Sequence, residues 1–252
     1  MNKKFINKRK FFFFNSNKIL ILLPIILIFI YLFLNSNKLY NLSIKFIKKY
    51  SEEYNYTFSK VEIINLQYLE REIILEYFEK HKGNSIFLIP LKKISNEIMK
   101  NKWINKIQIK NNYKNMIKIN VTEEIPLGIY ENDNKRILFS QNLVVLEIVE
   151  NKNDYPELIR FYGENSIINS KKLFKNLDDN TSKYILSANF IKNRRWDLTL
   201  RNKILLKLPE INYNNALDNY NKLSSKLSNK DLESIKSIDL RIKDQAVIKY
   251  MD

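Results

Sequence analysis

Residues Ile19 to Leu34 read ILILLPIILIFIYLFL and carry no charge. A helix through them covers ~24 Å at ~1.5 Å per residue, slightly less than a ~30 Å hydrocarbon core. Lys18 snorkelling outward and Asn35 to Asn37 among headgroups close the gap. Pro24 is better tolerated in a membrane helix than in a soluble one. Lys3, Lys4, Lys8, Arg9, Lys10 and Lys18 precede the run without any acid, against Lys38, Lys45, Lys48 and Lys49 after it. This bias predicts a cytoplasmic N-terminus, with Phe11 to Phe14 at the inner interface. A cleaved signal peptide is the rival reading, but the run ends in Asn35-Ser36-Asn37-Lys38 with no small-residue cleavage site. A buried core helix is the third, and it sits poorly with a charge-free run beside a basic terminus. The expectation is a basic tail at 1–18, an uncleaved membrane helix at 19–35 and, from the spacing of Leu39, Leu42, Phe46 and Tyr50, an amphipathic stem or a partly ordered linker at 36–55.

From residue 56 to 126 the pattern predicts strand, helix, helix, strand, strand. Thr57 to Ile64 is rich in β-branched residues. Leu69, Ile73 and Tyr77, with Ile74 and Phe78 beside them, form the stripe of a first helix; Lys80, His81 and Lys82 fall in its last turn and Gly83 at its C′ position. Pro90 opens a second helix whose inner face is Leu91, Ile94 and Ile98. Ile104 to Lys110 alternates as a strand, Asn111 to Asn115 turns, and Ile117, Ile119 and Val121 alternate in the next strand. Two helices on a small sheet make an α+β domain.

Residues 127–252 read mostly as β. Ile137 to Phe139 and Leu143 to Ile148 flank a turn at Ser140-Gln141-Asn142, and Tyr184 to Ile191 is another strand. In RRWDLTLRNKILLKLPE, Arg194 to Glu210, Trp196, Leu198 and Leu200 alternate with Asp197, Thr199 and Arg201; the chain turns at Asn202-Lys203, where Asn can enter the left-handed region, and Ile204, Leu206 and Leu208 return. Ala216, Tyr220, Leu223 and Leu227 mark a helix. A last hairpin places Ile238, Leu240 and Ile242 on one stripe and Ala246, Ile248 and Tyr250 on another.

The net charge of +16 suggests nucleic acid or an anionic surface. Lys outnumbers Arg several-fold, however, and Asn and Ile are abundant while Gly numbers three, the residue bias of AT-rich codons. A nucleic-acid surface favours Arg, and the Lys residues here are spread along the chain, so no nucleic-acid partner is expected. The absence of Cys excludes disulfides and thiolate metal sites. The single histidine, His81, is read as a helix-end cation; a His triad or multi-His metal site would need another chain. No acid pair, Ser or Cys nucleophile or glycine-rich loop stands in a catalytic context, so neither an enzyme nor a cofactor is expected.

The order of the first extramembrane segment, with Gly83, Trp103-Ile104 and IKINVTEEIP ending at Pro126, resembles a POTRA domain, a small module that binds polypeptide segments outside the cytoplasm. Anchor, POTRA-like unit, RRWDLTLRNKILLKLPE and the terminal IDLRIKD together resemble the FtsQ/DivIB family of bacterial cell-division proteins, with RRWDL and IDLR spelled closest to the proteobacterial FtsQ branch. The sequence departs from that pattern at Asn65, Asn142 and Lys203, where turn glycines are common, at Glu124, where a basic residue is common, and at Lys114, where Pro is common.

The resemblance implies a transmembrane helix, a POTRA-like domain at 56–126 and a mainly antiparallel FtsQ-type β domain with helices at 127–252. It implies a non-catalytic scaffold of the inner membrane, single-pass, with its C-terminal domains periplasmic and the protein enriched at the septum. The partners implied are FtsB- and FtsL-type coiled-coil division proteins and the septal peptidoglycan synthase complex. A partner segment would add to the edge formed by the last strands. Arg194, Arg195, Arg241, Ile242, Ala246, Val247, Ile248, Lys249 and Tyr250 are the candidate contacts. A terminal strand offers unpaired N–H and C=O groups, and strand addition satisfies them. The same residues also fit plainer roles: Trp196, Ile238, Leu240, Ala246 and Ile248 as core, and the arginines as solvated charges of little energetic weight. A membrane-anchored POTRA-bearing secretion or envelope-assembly factor is the alternative, though such proteins usually continue into a long β-barrel.

Overall fold

The computed structural model describes residues 16–133, 135–175, 177 and 179–251. The expectations for Lys3 to Lys10 and Phe11 to Phe14 lie outside the described residues. Helix α1 runs Ser16–Leu34 and α2 runs Ser36–Glu53. The helix does continue past the apolar run, but it breaks at Asn35, whose Nδ2 donates to the Tyr31 carbonyl at 2.9 Å. Pro24–Leu34 and Ser36–Glu53 meet at 67°. Among the described residues no single helix is long and apolar enough to cross a membrane; this bent pair together meets the length and composition required.

The chain then forms β1 (Lys60–Ile64), α3 (Arg71–Glu79), α4 (Leu91–Ile98), β2 (Ile104–Asn111) and β3 (Met116–Glu123). The three strands make a sheet in the order β1-β3-β2. As the central strand, β3 buries Ile117, Ile119 and Val121 and leaves Lys118 and Thr122 exposed, the period-two pattern expected. On α3 the buried residues are Ile74 and Phe78, while Ile73 is exposed, so the core stripe lies beside the one predicted. The first strand starts at Lys60; Thr57 makes only an isolated bridge to Ser85. Helix α3 stops at Glu79, and tight turns at His81 and Lys82 lead to Gly83, whose φ of +78° suits glycine and whose N–H donates to the Phe58 carbonyl at 2.8 Å. Gly83 is therefore not the residue that ends the helix. Burial, with the neighbouring Lys80 charge second, lowers the His81 pKa, which favours neutral imidazole over the helix-end cation predicted.

The remaining elements are β4 (Pro126–Glu131), β5 (Arg136–Ser140), β6 (Val145–Ile148), β7 (Ile159–Tyr162), α5 (Ser166–Lys175), α6 (Asp179–Lys183), β8 (Ile185–Ile191), β9 (Arg195–Leu200), β10 (Leu205–Lys207), α7 (Tyr213–Ser224), α8 (Asn229–Ser234), β11 (Ile235–Asp239) and β12 (Val247–Tyr250). Among the described residues the strands form one nine-stranded sheet, ordered β12-β11-β10-β9-β8-β7-β4-β5-β6. Five of its eight pairings are antiparallel, and β4–β7, β7–β8 and β10–β11 are parallel. Its core joins Phe139, Phe161, Phe190, Trp196, Leu198, Leu206, Leu217 and Ile238, so Trp196 is a core residue. Gly128 lies in β4 where a Cβ would stand 2.4 Å from Cε2 of Phe161 and 2.7 Å from the Ile159 carbonyl oxygen; only glycine fits there.

The described residues fall into two compact units whose division does not follow the chain. One gathers residues up to Glu62 with Phe78–Leu91 and Ile109–Lys118; the other gathers Ile63–Tyr77, Lys92–Gln108 and Ile119 onward. In the second, Glu124 is 4% exposed, and its carboxylate accepts from Asn105 at 2.7 Å and from Asn142 at 3.1 Å and 3.2 Å. Two of the sequence's unusual residues, Glu124 and Asn142, thus answer each other. Of the three residues that stand where turn glycines are common, Asn65 (φ +65°) and Lys203 (φ +71°) take the left-handed conformation, while beside Asn142 it is Leu143 (φ +64°) that does so. In the Asn202-Lys203 turn the left-handed residue is thus Lys203, and Asn202 instead accepts the Ile204 N–H through Oδ1 at 3.3 Å.

Candidate partner-binding edge

Strand β12 closes one end of the nine-stranded sheet, and among the described residues no strand pairs with its outer side. It pairs antiparallel with β11 in the register Asp239↔Val247, Ile238↔Ile248 and Ser237↔Lys249, with a bulge before Ile235↔Tyr250. The Met251 N–H donates to the Ser234 carbonyl at 2.8 Å. Since backbone direction alternates along a strand, Val247 and Lys249 also turn their N–H and C=O toward β11. Ile248 and Tyr250 then turn theirs outward, to the unpaired side.

The side chains divide differently. Ile248 packs on the large core, whereas Val247 and Tyr250 are 55% and 53% exposed. Lys249 is exposed, as is Ala246 just ahead of the strand. Ile242 does not share the buried stripe of Ile238 and Leu240: β11 ends at Asp239, and Ile242 lies exposed in the following loop. There it lines a cavity of about 280 Å³ with Pro209, Ile211, Ala216, Leu240 and Arg241.

The three candidate arginines each have a carboxylate of their own chain. Arg241 grips Asp239 with Nε–Oδ1 at 2.8 Å and Nη2–Oδ2 at 2.5 Å. That bond from Arg241 holds the Asp239 pKa below its ordinary value. Arg195 reaches Asp197 at 3.4 Å, and Arg194 reaches Glu210 at 3.4 Å. Register places Asp197, Lys207, Asp239 and Val247 in one row across β9, β10, β11 and β12. The i, i+2 spacing puts Arg195 and Asp197 on one face of β9, while Arg241, just past the end of β11, reaches back to Asp239. The result is a row of alternating charge that stops at Val247. Arg195 stands three strands from the edge, ~14 Å at ~4.8 Å per strand, so the fold does not bring Arg194 and Arg195 onto β12.

Asp197, Lys207 and the cavity residues Pro209 and Ile211 were not among the candidate contacts read from the sequence. The two Arg/Asp pairs at strand spacing were a readable signal, but the row they form needs the order of the strands. Among the described residues no group of three or more His, Asp or Glu side chains could hold a metal ion.

Two family models match this architecture. Residues 57–124 match the POTRA domain of FtsQ type, and residues 128–241 match the C-terminal region of the cell division protein FtsQ/DivIB. The chain is 31% identical over 188 residues to the cell division protein FtsQ of Rickettsia felis, covering 73% of this chain and 68% of that protein. It is 30% identical over 202 residues to FtsQ of Rickettsia bellii, covering 78% and 73%. The DivIB protein of Clostridium tetani is 32% identical over 91 residues, 36% of this chain and 34% of that one. A small three-stranded module followed by a sheet that ends in the IDLR hairpin, matched by both family models and by relatives across most of its length, makes this chain a member of the FtsQ/DivIB family of cell-division proteins.

Proposed function

We propose that this protein is a non-catalytic scaffold of the division machinery. The N-terminal helix holds it in the cytoplasmic membrane, with its N-terminus inside and the POTRA and β regions outside the cytoplasm. An extended segment of an FtsB-type partner, itself paired with an FtsL-type protein, adds along β12. The assembly helps control septal peptidoglycan synthesis and gathers at the septum. The observation that carries this reading is the position of β12 at the end of the sheet, with no strand on its outer side among the described residues. Main-chain bonding supplies affinity and flanking side chains supply selectivity in such additions.

Val247 and Tyr250 flank the added strand without belonging to the core, and the charge row ends beside Val247. A partner residue next in that row meets Asp239 and Arg241 already paired to each other, so it competes with an internal bond rather than finding a free guanidinium. Ile242 and its cavity lie at the same end and suit an apolar partner side chain.

The test is capture of an FtsB-type partner by the detergent-solubilised full chain and by its Val247→Glu and Tyr250→Glu variants. Both variants are expected to lose capture while keeping the wild-type melting transition. Undiminished capture by both would remove the strand-edge mechanism.

A further inference from the structure

Helix α2 has two apolar faces, and among the described residues one is packed into the protein while the other stays largely exposed. Ile44 and Ile47 are half-buried and Ser51 is fully buried, where its Oγ meets the Ser85 Oγ at 2.6 Å. About 90–175° away around the helix, at ~100° per residue, lie Leu39, Leu42, Phe46 and Tyr50. These are 42%, 54%, 71% and 44% exposed. Lys38, Lys45 and Lys49 follow one border of that row. The first acids of the helix come only at its end, Glu52 and Glu53. The aromatic surface continues past the helix: Phe46 stacks near Tyr50, Tyr50 on Tyr54 at 4.5 Å, Tyr50 near Tyr56, and Tyr56 near Phe87.

We propose that α2 is an interfacial helix: the exposed row Leu39, Leu42, Phe46 and Tyr50 lies in the headgroup layer of the bilayer entered by α1, with Lys38, Lys45 and Lys49 on anionic phospholipid headgroups. Two observations choose this occupant. One is continuity: a single residue, Asn35, separates α2 from the helix that carries the charge-free run Ile19 to Leu34, so the start of α2 is held at the interface of any bilayer that takes α1. The other is charge, since the three lysines border the apolar row as anionic headgroups require. The 67° bend fits the same placement. A straight continuation of 18 residues would advance ~27 Å along the axis of α1. Bent by 67°, it advances ~11 Å and runs mainly sideways. Aromatic rings with polar tips are the usual side chains at that depth.

The inference rests on the anchoring role proposed for α1, and the experiment separates the two. The chain has no cysteine, so single spin labels can be placed at will. Full-length chain carrying Ile28→Cys, Phe46→Cys or Lys48→Cys is labelled and reconstituted into phosphatidylcholine vesicles with and without phosphatidylglycerol. The ratio of oxygen to aqueous nickel-chelate accessibility is read at each site. The expected result is a lipid-like ratio at 28, an interfacial ratio at 46 several-fold above that at 48, and a smaller contrast without phosphatidylglycerol. A label at 28 in lipid with 46 as watery as 48 overturns this inference alone; a label at 28 in water overturns the anchor itself. Exclusion of both reagents at 46 with spin–spin broadening assigns the face to a second copy and overturns the lipid assignment. A contrast unchanged by lipid charge, or by Lys→Gln at 38, 45 and 49, overturns the role of the lysines.

Discussion

Replacing Tyr250 by proline removes one outward N–H of β12 and leaves the pairing with β11 intact. The Met251 N–H to Ser234 bond and the register of Val247 and Lys249 turn the Tyr250 amide away from β11. The variant therefore keeps every hydrogen bond of the hairpin, and its exposed side chain gives up no core packing. Stability is expected to change by less than ~0.5 kcal/mol, as for a surface substitution. Binding of an added strand loses one main-chain bond, worth ~1 kcal/mol net, or about fivefold in affinity. Proline Cδ also occupies the space the partner carbonyl must enter, so the loss is expected to exceed tenfold. Tyr250→Ala keeps the N–H and reports the side chain alone, while Lys249→Pro breaks an inward bond and is expected to lower the melting temperature. Calorimetric titration of the solubilised chain with an FtsB-type partner, beside thermal melts, measures both quantities. Equal affinity for Tyr250→Pro and Tyr250→Ala would refute strand addition at this edge.

Three further outcomes concern the fold. Gly128→Ala drives a methyl against Phe161 and the Ile159 carbonyl, and it is expected to cost ~1–3 kcal/mol in urea melts and to lower the melting temperature by several degrees. Glu124→Arg puts an unmatched cation among Asn105 and Asn142, and it is expected to cost ~3 kcal/mol or more, while Glu124→Gln, which keeps an acceptor, costs less. Burial raises the Glu124 pKa but bonds from Ser140, Asn105 and Asn142 outweigh it and leave it lowered, so this contribution is present above the ordinary carboxylate range and is lost as pH falls through the lowered value. The lowered pKa of His81 makes its neutral form the one the fold prefers; stability from it is intact above the unfolded value near 6.5 and declines as pH falls below it. Urea midpoints compared at about pH 7.5 and about pH 5.5 should show a larger drop in the wild type than in His81→Gln.

The local pattern was enough to read the alternating strand of Ile117, Ile119 and Val121, the hairpin from Arg195 to Lys207, the helix over Tyr213–Ser224 and the final hairpin. Each rests on periodicity over neighbouring residues, which one stretch of sequence records. Strands β4 and β7 escaped because PLGIYE is broken by a glycine that only the Phe161 contact explains, and IRFY is too short to show a period. The face of α3 was misjudged by one residue because Ile73 and Ile74 are equally apolar, and only packing selects Ile74.

In the candidate edge, the sequence by itself determined the residue types and the hairpin that holds them. The tertiary structure decided that β12 comes last in the sheet, that Ile248 and Tyr250 direct their amides outward, that Arg241 is already held by Asp239, and that Ile242 belongs to a cavity rather than a strand. Side-chain alternation is a property of single strands. Strand order and the pairing of charges join residues far apart in the chain, such as Asp197, Lys207 and Asp239, and no local period encodes which of them become neighbours.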